Sequence, residues 1–236
     1  MAEINKRDFL ALALDNVSSS EQITELIKTT SEWIGVYKIG LEQFTRFGPS
    51  VLDLVRTAER RIFLDLKFHD IPNTVAKAVK SACSLGVDYL TIHTQGGLDM
   101  MKAAAQSASE EENPPKIIGV TLLTSLDNAA LRSELSVSMD VSVYVNHLAS
   151  LAVQAGIDGI VCSASDLLSV KPILPPHFQI ITPGIRPAGE ASGDQKRVST
   201  PRSAINSGAT LLVIGRPITS AENPGKAAER IWRDIQ

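Results

Sequence analysis

The run Asp65-Leu66-Lys67-Phe68-His69-Asp70 sets a lysine between two carboxylates. A lysine flanked in this way stays protonated, because an opposite charge within roughly 4–6 Å favours the charged form. Such a carboxylate–lysine cluster is an active-site candidate. A second kind of chemistry is suggested near the C-terminus, where Pro183-Gly184-Ile185-Arg186-Pro187 and Ile214-Gly215-Arg216-Pro217 each join a glycine to an arginine. Glycine lets a ligand approach the backbone, and the guanidinium fork matches an oxyanion such as phosphate. One Gly-Arg pair is usually only a turn; two at corresponding places are more specific.

Short apolar runs recur along the chain, each followed by a segment with helical spacing, which is the pattern of βα units and a parallel sheet. The runs are Phe9–Asp15, Val36–Leu41, Ile62–Lys67, Tyr89–Thr94, Ile117–Thr124, Gly159–Ser163, Gln179–Ile185 and Leu211–Ile218. About eight such units close a (β/α)₈, or TIM, barrel, and the whole chain, 1–236, is expected to form one such α/β domain. Apolar stripes at helical spacing lie between the runs: Val51, Val55 and Ala58; Val75, Val79, Ala82 and Cys83; Val141, Val145, Leu148 and Ala152; Ala227, Ala228 and Ile231. An open doubly wound sheet is the rival architecture. It normally carries a glycine-rich turn after its first strand, whereas the first run here ends in Leu14-Asp15-Asn16.

Barrel enzymes work at the carboxyl ends of their strands. There this sequence places Asp15, Lys38, Asp65, Lys67 and Asp70, Thr124, Arg186 and Arg216. Side chains alternate across a strand, so Phe63, Asp65 and Lys67 share one face, and Ile62, Leu64 and Leu66 take the helix-covered face. The same parity turns Asp15 inward with Ala11 and Ala13, and an alternating-charge array of Asp15, Lys38, Asp65 and Lys67 follows. A solvated ion pair at a strand end is the bland alternative for any one of these residues, but four converging charges argue against it. The small, polar stretch from Pro187 to Lys196 reads as a phosphate-gripping lid loop at 187–196 rather than a linker, with Gln195 as a phosphate contact. A tolerated surface loop is the alternative.

Composition removes several classes. A formal net charge of -3 offers no basic stripe for nucleic acid, and no run is long enough to span a membrane. The N-terminal apolar run is too short and too soon interrupted for a secretion signal, so Asn16-Val17-Ser18 is a chance match to the glycosylation pattern. Cys83 and Cys162 lack metal-ligand or disulfide spacing, and a reducing cytoplasm fits them. Of the four histidines, His93 ends a strand, but a satisfied structural role is expected for it as for His69, His147 and His177. Trp33, Trp232 and the phenylalanines are expected to pack rather than to stack on bases.

The segment Asp65-Leu66-Lys67-Phe68-His69-Asp70-Ile71-Pro72-Asn73-Thr74-Val75 resembles the catalytic signature of the orotidine 5′-phosphate decarboxylase family. Leu14-Asp15, Tyr37-Lys38-Ile39-Gly40, Leu123-Thr124-Ser125, Thr182 to Pro187, Gly193 to Arg197 and Val213 to Thr219 resemble its bacterial branch, in order and over nearly the whole chain. The resemblance implies a homodimeric barrel, without cofactor or metal, that converts orotidine 5′-monophosphate to uridine 5′-monophosphate (UMP) and CO₂ in pyrimidine biosynthesis. It implies that Asp15 and Lys38 hold ribose hydroxyls, and that Asp65, Lys67 and Asp70 surround the reacting C6. Asp70, with Ile71 and Thr74, would cross into the other subunit's site. Thr124 and Ser125 would meet the pyrimidine, while Arg186, Gln195, Gly215 and Arg216 would bind phosphate.

The implied reaction leaves a carbanion that the ring cannot readily delocalise, so fixed charge has to stabilise it. Lys67 would do so and then protonate C6, with Asp65 and Asp70 keeping it charged and repelling the substrate carboxylate. Two rivals stand beside this reading. A magnesium-dependent phosphosugar decarboxylase or synthase of a related barrel family shares an Asp-x-Lys-x-x-Asp run, but Lys38 would repel its cation. A non-catalytic nucleotide-binding barrel would have no need of Lys67 between carboxylates.

Overall fold

The apolar runs become eight parallel strands because each is followed by a segment that covers it and returns the chain to the same end of the sheet. In the computed structural model, which describes residues 6–187 and 199–235, the strands are β1 (Leu10–Ala13), β2 (Val36–Gly40), β3 (Arg61–Phe68) and β4 (Tyr89–His93). They continue as β5 (Lys116–Val120), β6 (Gly159–Val161), β7 (Gln179–Thr182) and β8 (Leu211–Ile214). Strand order follows chain order, and β8 pairs with β1, so the sheet is a closed barrel. The open doubly wound alternative is excluded.

The helices start where local chemistry permits. Ser19, Asp127, Thr200 and Asn223 each accept a backbone N–H of the first helical turn, and Pro72, Pro201 and Pro224 occupy first-turn positions that need no donor. The stripes expected from the sequence face inward: Val75, Val79, Ala82 and Cys83 on the helix Pro72–Cys83 are all buried, as are Ala227, Ala228 and Ile231 on Pro224–Asp234. Among the described residues no helix is long and apolar enough to cross a membrane.

Two cores result. Outward-facing strand residues such as Leu10, Leu12, Ile62, Leu64 and Leu90 pack under the helices. Ala11, Val36, Phe63, Tyr89, Ile118, Ile181 and Leu211 fill the barrel interior. The inward residues one alternation further along are Lys38 on β2, Asp65 on β3 and Thr91 on β4, so a polar layer lies directly above an apolar plug.

Several strands stop before their apolar runs do. β1, β5, β7 and β8 end at Ala13, Val120, Thr182 and Ile214, although Leu14, Leu122, Ile185 and Ile218 beyond them are buried. Those side chains belong to the same core as the outward-facing strand residues. The strands end before them, although the Leu14 N–H still donates to the Lys38 carbonyl at 3.1 Å and Ile185 keeps an isolated bridge to Ser199; burial runs on past the strand ends, which is why hydrophobicity overstated strand length.

Candidate active site

The inward-facing polar residues meet in a cleft of about 680 Å³ at the carboxyl ends of the strands. Asp15, Lys38, Asp65, Lys67, Thr124, Arg186, Gly215 and Arg216 all line it, together with Gly40 and Phe63. The cross-strand register explains the convergence. Ala13 lies opposite Lys38, Lys38 opposite Phe63, and Gly40 opposite Asp65, which sets the acidic and basic groups on neighbouring strands at nearly one height.

Lys38 donates to both oxygens of Asp15, at 3.1 and 3.0 Å, and stands 3.4 Å from Asp65 Oδ2. Asp65 Oδ1 is 2.9 Å from Lys67 Nζ. The array thus runs Asp15, Lys38, Asp65, Lys67 with alternating sign. Lys38 and Asp65 are buried, at 7% and 8% exposure, so each depends on its partners for the solvation it has lost. Burial pulls the Lys38 pKa down, but the charges of Asp65 and Asp15 outweigh it and the net shift is upward. Burial likewise pushes Asp65 up, and the charges of Lys38 and Lys67 outweigh it, leaving the carboxyl below its usual range. Both groups therefore remain ionised at neutral pH.

Gly40 leaves room for this packing. A Cβ added there would lie 2.7 Å from Asp15 Oδ1, which would have to shift, and 3.0 Å from Lys38 Nζ, which would have to give by a few tenths of an ångström. Its backbone is extended, with φ of -93°, so the constraint is space and not conformation. Arg186 and Arg216 follow β7 and β8 on the opposite side of the cleft mouth from Asp65 and Lys67 in strand order.

Other candidates lie elsewhere. Asp70, Ile71, Thr74 and Ser125 are exposed and do not line this cleft; Asp70 Oδ1 accepts its neighbour's N–H, from Ile71, at 2.7 Å. Gln195 and most of the expected lid lie outside the described residues. His93 stacks on His69 with ring centroids 5.2 Å apart and does not line the cleft. The expectation that it is satisfied fails at Nδ1, which is buried and has no hydrogen-bond partner among the described residues. Burial, then the positive fields of His69 and Lys67, depress its pKa to about 4, so the ring is neutral. Trp33 packs on Trp232 as expected, at 5.1 Å between centroids.

Sequence reading missed the close fit of Asp15 and Lys38 over Gly40 and missed Thr91 on β4 altogether. Nothing local marks a threonine in a strand as special; its importance comes from the residues opposite. Among the described residues no group of three or more His, Cys, Asp or Glu side chains is placed to hold a metal ion.

A closed barrel that keeps an ion-pair array at the carboxyl ends of its strands, above an apolar plug, is a (β/α)₈ barrel of the enzyme type. Comparison with known proteins narrows this class. The chain belongs to the family described as "Orotidine 5'-phosphate decarboxylase / HUMPS family", whose model matches residues 8–231. It is similar to orotidine 5′-phosphate decarboxylase of Moorella thermoacetica, at 43% identity covering 100% of this chain and 95% of the relative. The enzyme of that name from Nitrosococcus oceani is 46% identical, covering 96% of this chain and 97% of its own. Among solved structures, orotidine 5′-phosphate decarboxylase of Lactobacillus acidophilus superposes with a TM-score of 0.83 at 32% identity, covering 96% of this chain and 98% of that one.

Proposed function

We propose that this cleft decarboxylates orotidine 5′-monophosphate to UMP and CO₂, a step of pyrimidine biosynthesis. The observation that carries the reading is the Asp15–Lys38–Asp65–Lys67 array, buried at Lys38 and Asp65, with Lys67 Nζ 2.9 Å from Asp65 and facing the same cleft as two arginines. The names of the relatives support the same choice.

In this mechanism the bond between C6 and the carboxylate carbon breaks, CO₂ departs, and the electron pair stays on C6. The Lys67 ammonium stabilises that pair by its charge and then transfers a proton to it. Lys67 becomes neutral and regains a proton from water. Asp65 pairs with Lys67 at 2.9 Å, which holds the ammonium in place, and opposes the substrate carboxylate, an arrangement relieved as CO₂ leaves. Asp15 and Lys38 hold the ribose hydroxyls and fix the array; Thr124, with Ser125 beside it, meets the pyrimidine edge. Arg186 and Arg216, with the Gly215 backbone, take the phosphate, and binding energy gained there lowers the barrier at C6.

Asp70 completes the charge set from a second subunit in this reading. Its exposure, with that of Ile71 and Thr74 at the start of the helix Pro72–Cys83, leaves all three available to a partner. The two buried free cysteines suit a reducing cytoplasm. The magnesium-dependent phosphosugar chemistry is the second reading, because the family's description is double. Lys38 disfavours it, since its ammonium stands between Asp15 and Asp65 where a divalent cation would need carboxylate oxygens.

The test is the ultraviolet absorbance change on adding orotidine 5′-monophosphate to chelator-treated wild type and to Lys67→Ala. Rapid loss in the first, with kcat lower by about 10⁴-fold or more in the second, is expected when proton transfer and charge stabilisation are removed together. No loss with folded wild type would overturn the assignment, and activity restored only by magnesium would favour the phosphosugar chemistry.

A further inference from the structure

β3 and β4 do not pair regularly at the active site. Leu64 lies opposite Leu90, but the next partnered residues are Phe68 and Ile92, so Asp65, Leu66 and Lys67 face the single residue Thr91. The strand therefore carries two extra residues here. An even number preserves the alternation of faces, which is why Asp65 and Lys67 still share the cleft. The irregularity is absorbed at Lys67, whose φ of +52° lies in the left-handed region that a lysine rarely adopts. Backbone in that state persists only where its surroundings hold it.

The surroundings that hold it converge on one hydroxyl. Thr91 is fully buried. Its Oγ1 accepts the Lys67 backbone N–H at 2.9 Å and donates to Asp65 Oδ1 at 2.9 Å. Asp65 Oδ1 is also the atom that meets Lys67 Nζ. One side chain thus grips both ends of the bulge: the amide of the residue with the strained backbone, and the carboxylate oxygen to which that residue's ammonium is paired. The hydroxyl gives the Lys67 amide an acceptor at a point where the bulge interrupts the strand ladder, and the bond to Asp65 leaves that oxygen pointing at Lys67.

We propose that Thr91 is a positioning residue for Lys67, its hydroxyl clamping the β3 bulge so that the ammonium and the Asp65 carboxylate keep one fixed geometry toward the reacting atom. Thr91 does not line the cleft and needs no contact with substrate. Its effect falls on the chemical step and not on substrate capture, because the arginine side of the cleft is built on other strands. The inference rests on the proposed decarboxylation for its kinetic consequence, but the clamp itself has a readout free of turnover.

The experiment compares Thr91→Val, which keeps the shape and removes the hydroxyl, with Thr91→Ser, which keeps the hydroxyl, and Thr91→Ala as a less bulky deletion should the valine variant not fold. In the hydroxyl-free variants kcat for orotidine 5′-monophosphate should fall about tenfold or more, with KM within about twofold, the pattern of an interaction felt only in the transition state. The acid limb of the kcat profile should move to higher pH, since Asp65 is then without a hydrogen bond that favours its charged form. The serine variant should recover most of the rate. A folded Thr91→Val or Thr91→Ala enzyme with wild-type kcat and an unmoved acid limb overturns the inference, as does a serine variant as impaired as the valine. Absence of turnover in wild type would instead overturn the proposed reaction. The clamp is then judged by amide hydrogen exchange at Lys67, which must be faster in Thr91→Val than in wild type; equal exchange refutes it.

Discussion

Lys38 sits between two carboxylates, and replacing each by its amide gives opposite answers depending on whether distance or burial governs the pair. Asp15 is the closer partner, at 3.0 Å against 3.4 Å for Asp65. Distance alone would make Asp15→Asn the more damaging change. Burial argues the reverse: the Asp15 side chain is 40% exposed, that of Asp65 only 11%. Water screens the first pair, so its loss should cost about 0–1 kcal/mol. Asp65→Asn strips a buried carboxylate from Lys38 and Lys67 at once while leaving Lys38 in a desolvated pocket, a change on the scale of about 3–5 kcal/mol. At about 2–4 °C per kcal/mol for a chain of this size, Tm should fall by about 6–20 °C for Asp65→Asn and by about 4 °C at most for Asp15→Asn.

The assay is thermal and urea unfolding of both variants beside wild type at pH 7, repeated toward acid. Asp65 has a folded pKa below its ordinary value, so its contribution is complete above the unfolded carboxylate range and is lost as pH falls through the folded pKa. The gap between wild type and Asp65→Asn should therefore close on acidification. Equal losses at pH 7, or a larger loss for Asp15→Asn, would refute the claim that burial sets the strength of this array.

Three further outcomes are expected. Gly40→Ala should displace Asp15 or Lys38, since its Cβ would come within 2.7 Å of Asp15 Oδ1; a loss of about 1–3 kcal/mol by urea unfolding, with a raised KM, checks this. His93, with a pKa depressed to about 4, should contribute stability that is complete above the unfolded value near 6.5 and lost as pH falls toward 4. The urea midpoint of His93→Gln should then drop less between pH 7 and pH 5 than that of wild type. For the dimer reading, Lys67→Ala and Asp70→Ala, each inactive alone, should regain about a quarter of wild-type activity when mixed and reassembled, because half of the sites in mixed dimers carry both native residues. No recovery after verified subunit exchange would place Asp70 outside the partner's site.

The barrel and half of its site could be read from the chain alone because they depend on local periods. Alternation along a strand is set by backbone geometry, so Leu64 faces the helices and Phe63 and Asp65 face inward whatever lies next door. The repetition of apolar run and helical stripe similarly specified eight strands in order. The charges that end those runs had to meet once the barrel closed, which is why Asp15, Lys38, Asp65 and Lys67 were legible together. Strand ends were not legible, because Leu14 and Ile185 are as buried as the strand residues before them although the strands stop at Ala13 and Thr182. Nor was the place of Thr91, which depends on the two-residue slip of β3 against β4, or the close fit over Gly40, which depends on where Asp15 arrives from another strand. Periodicity determines which way a side chain points; only the partner strand's register decides what it meets there, and register is a property of the assembled sheet.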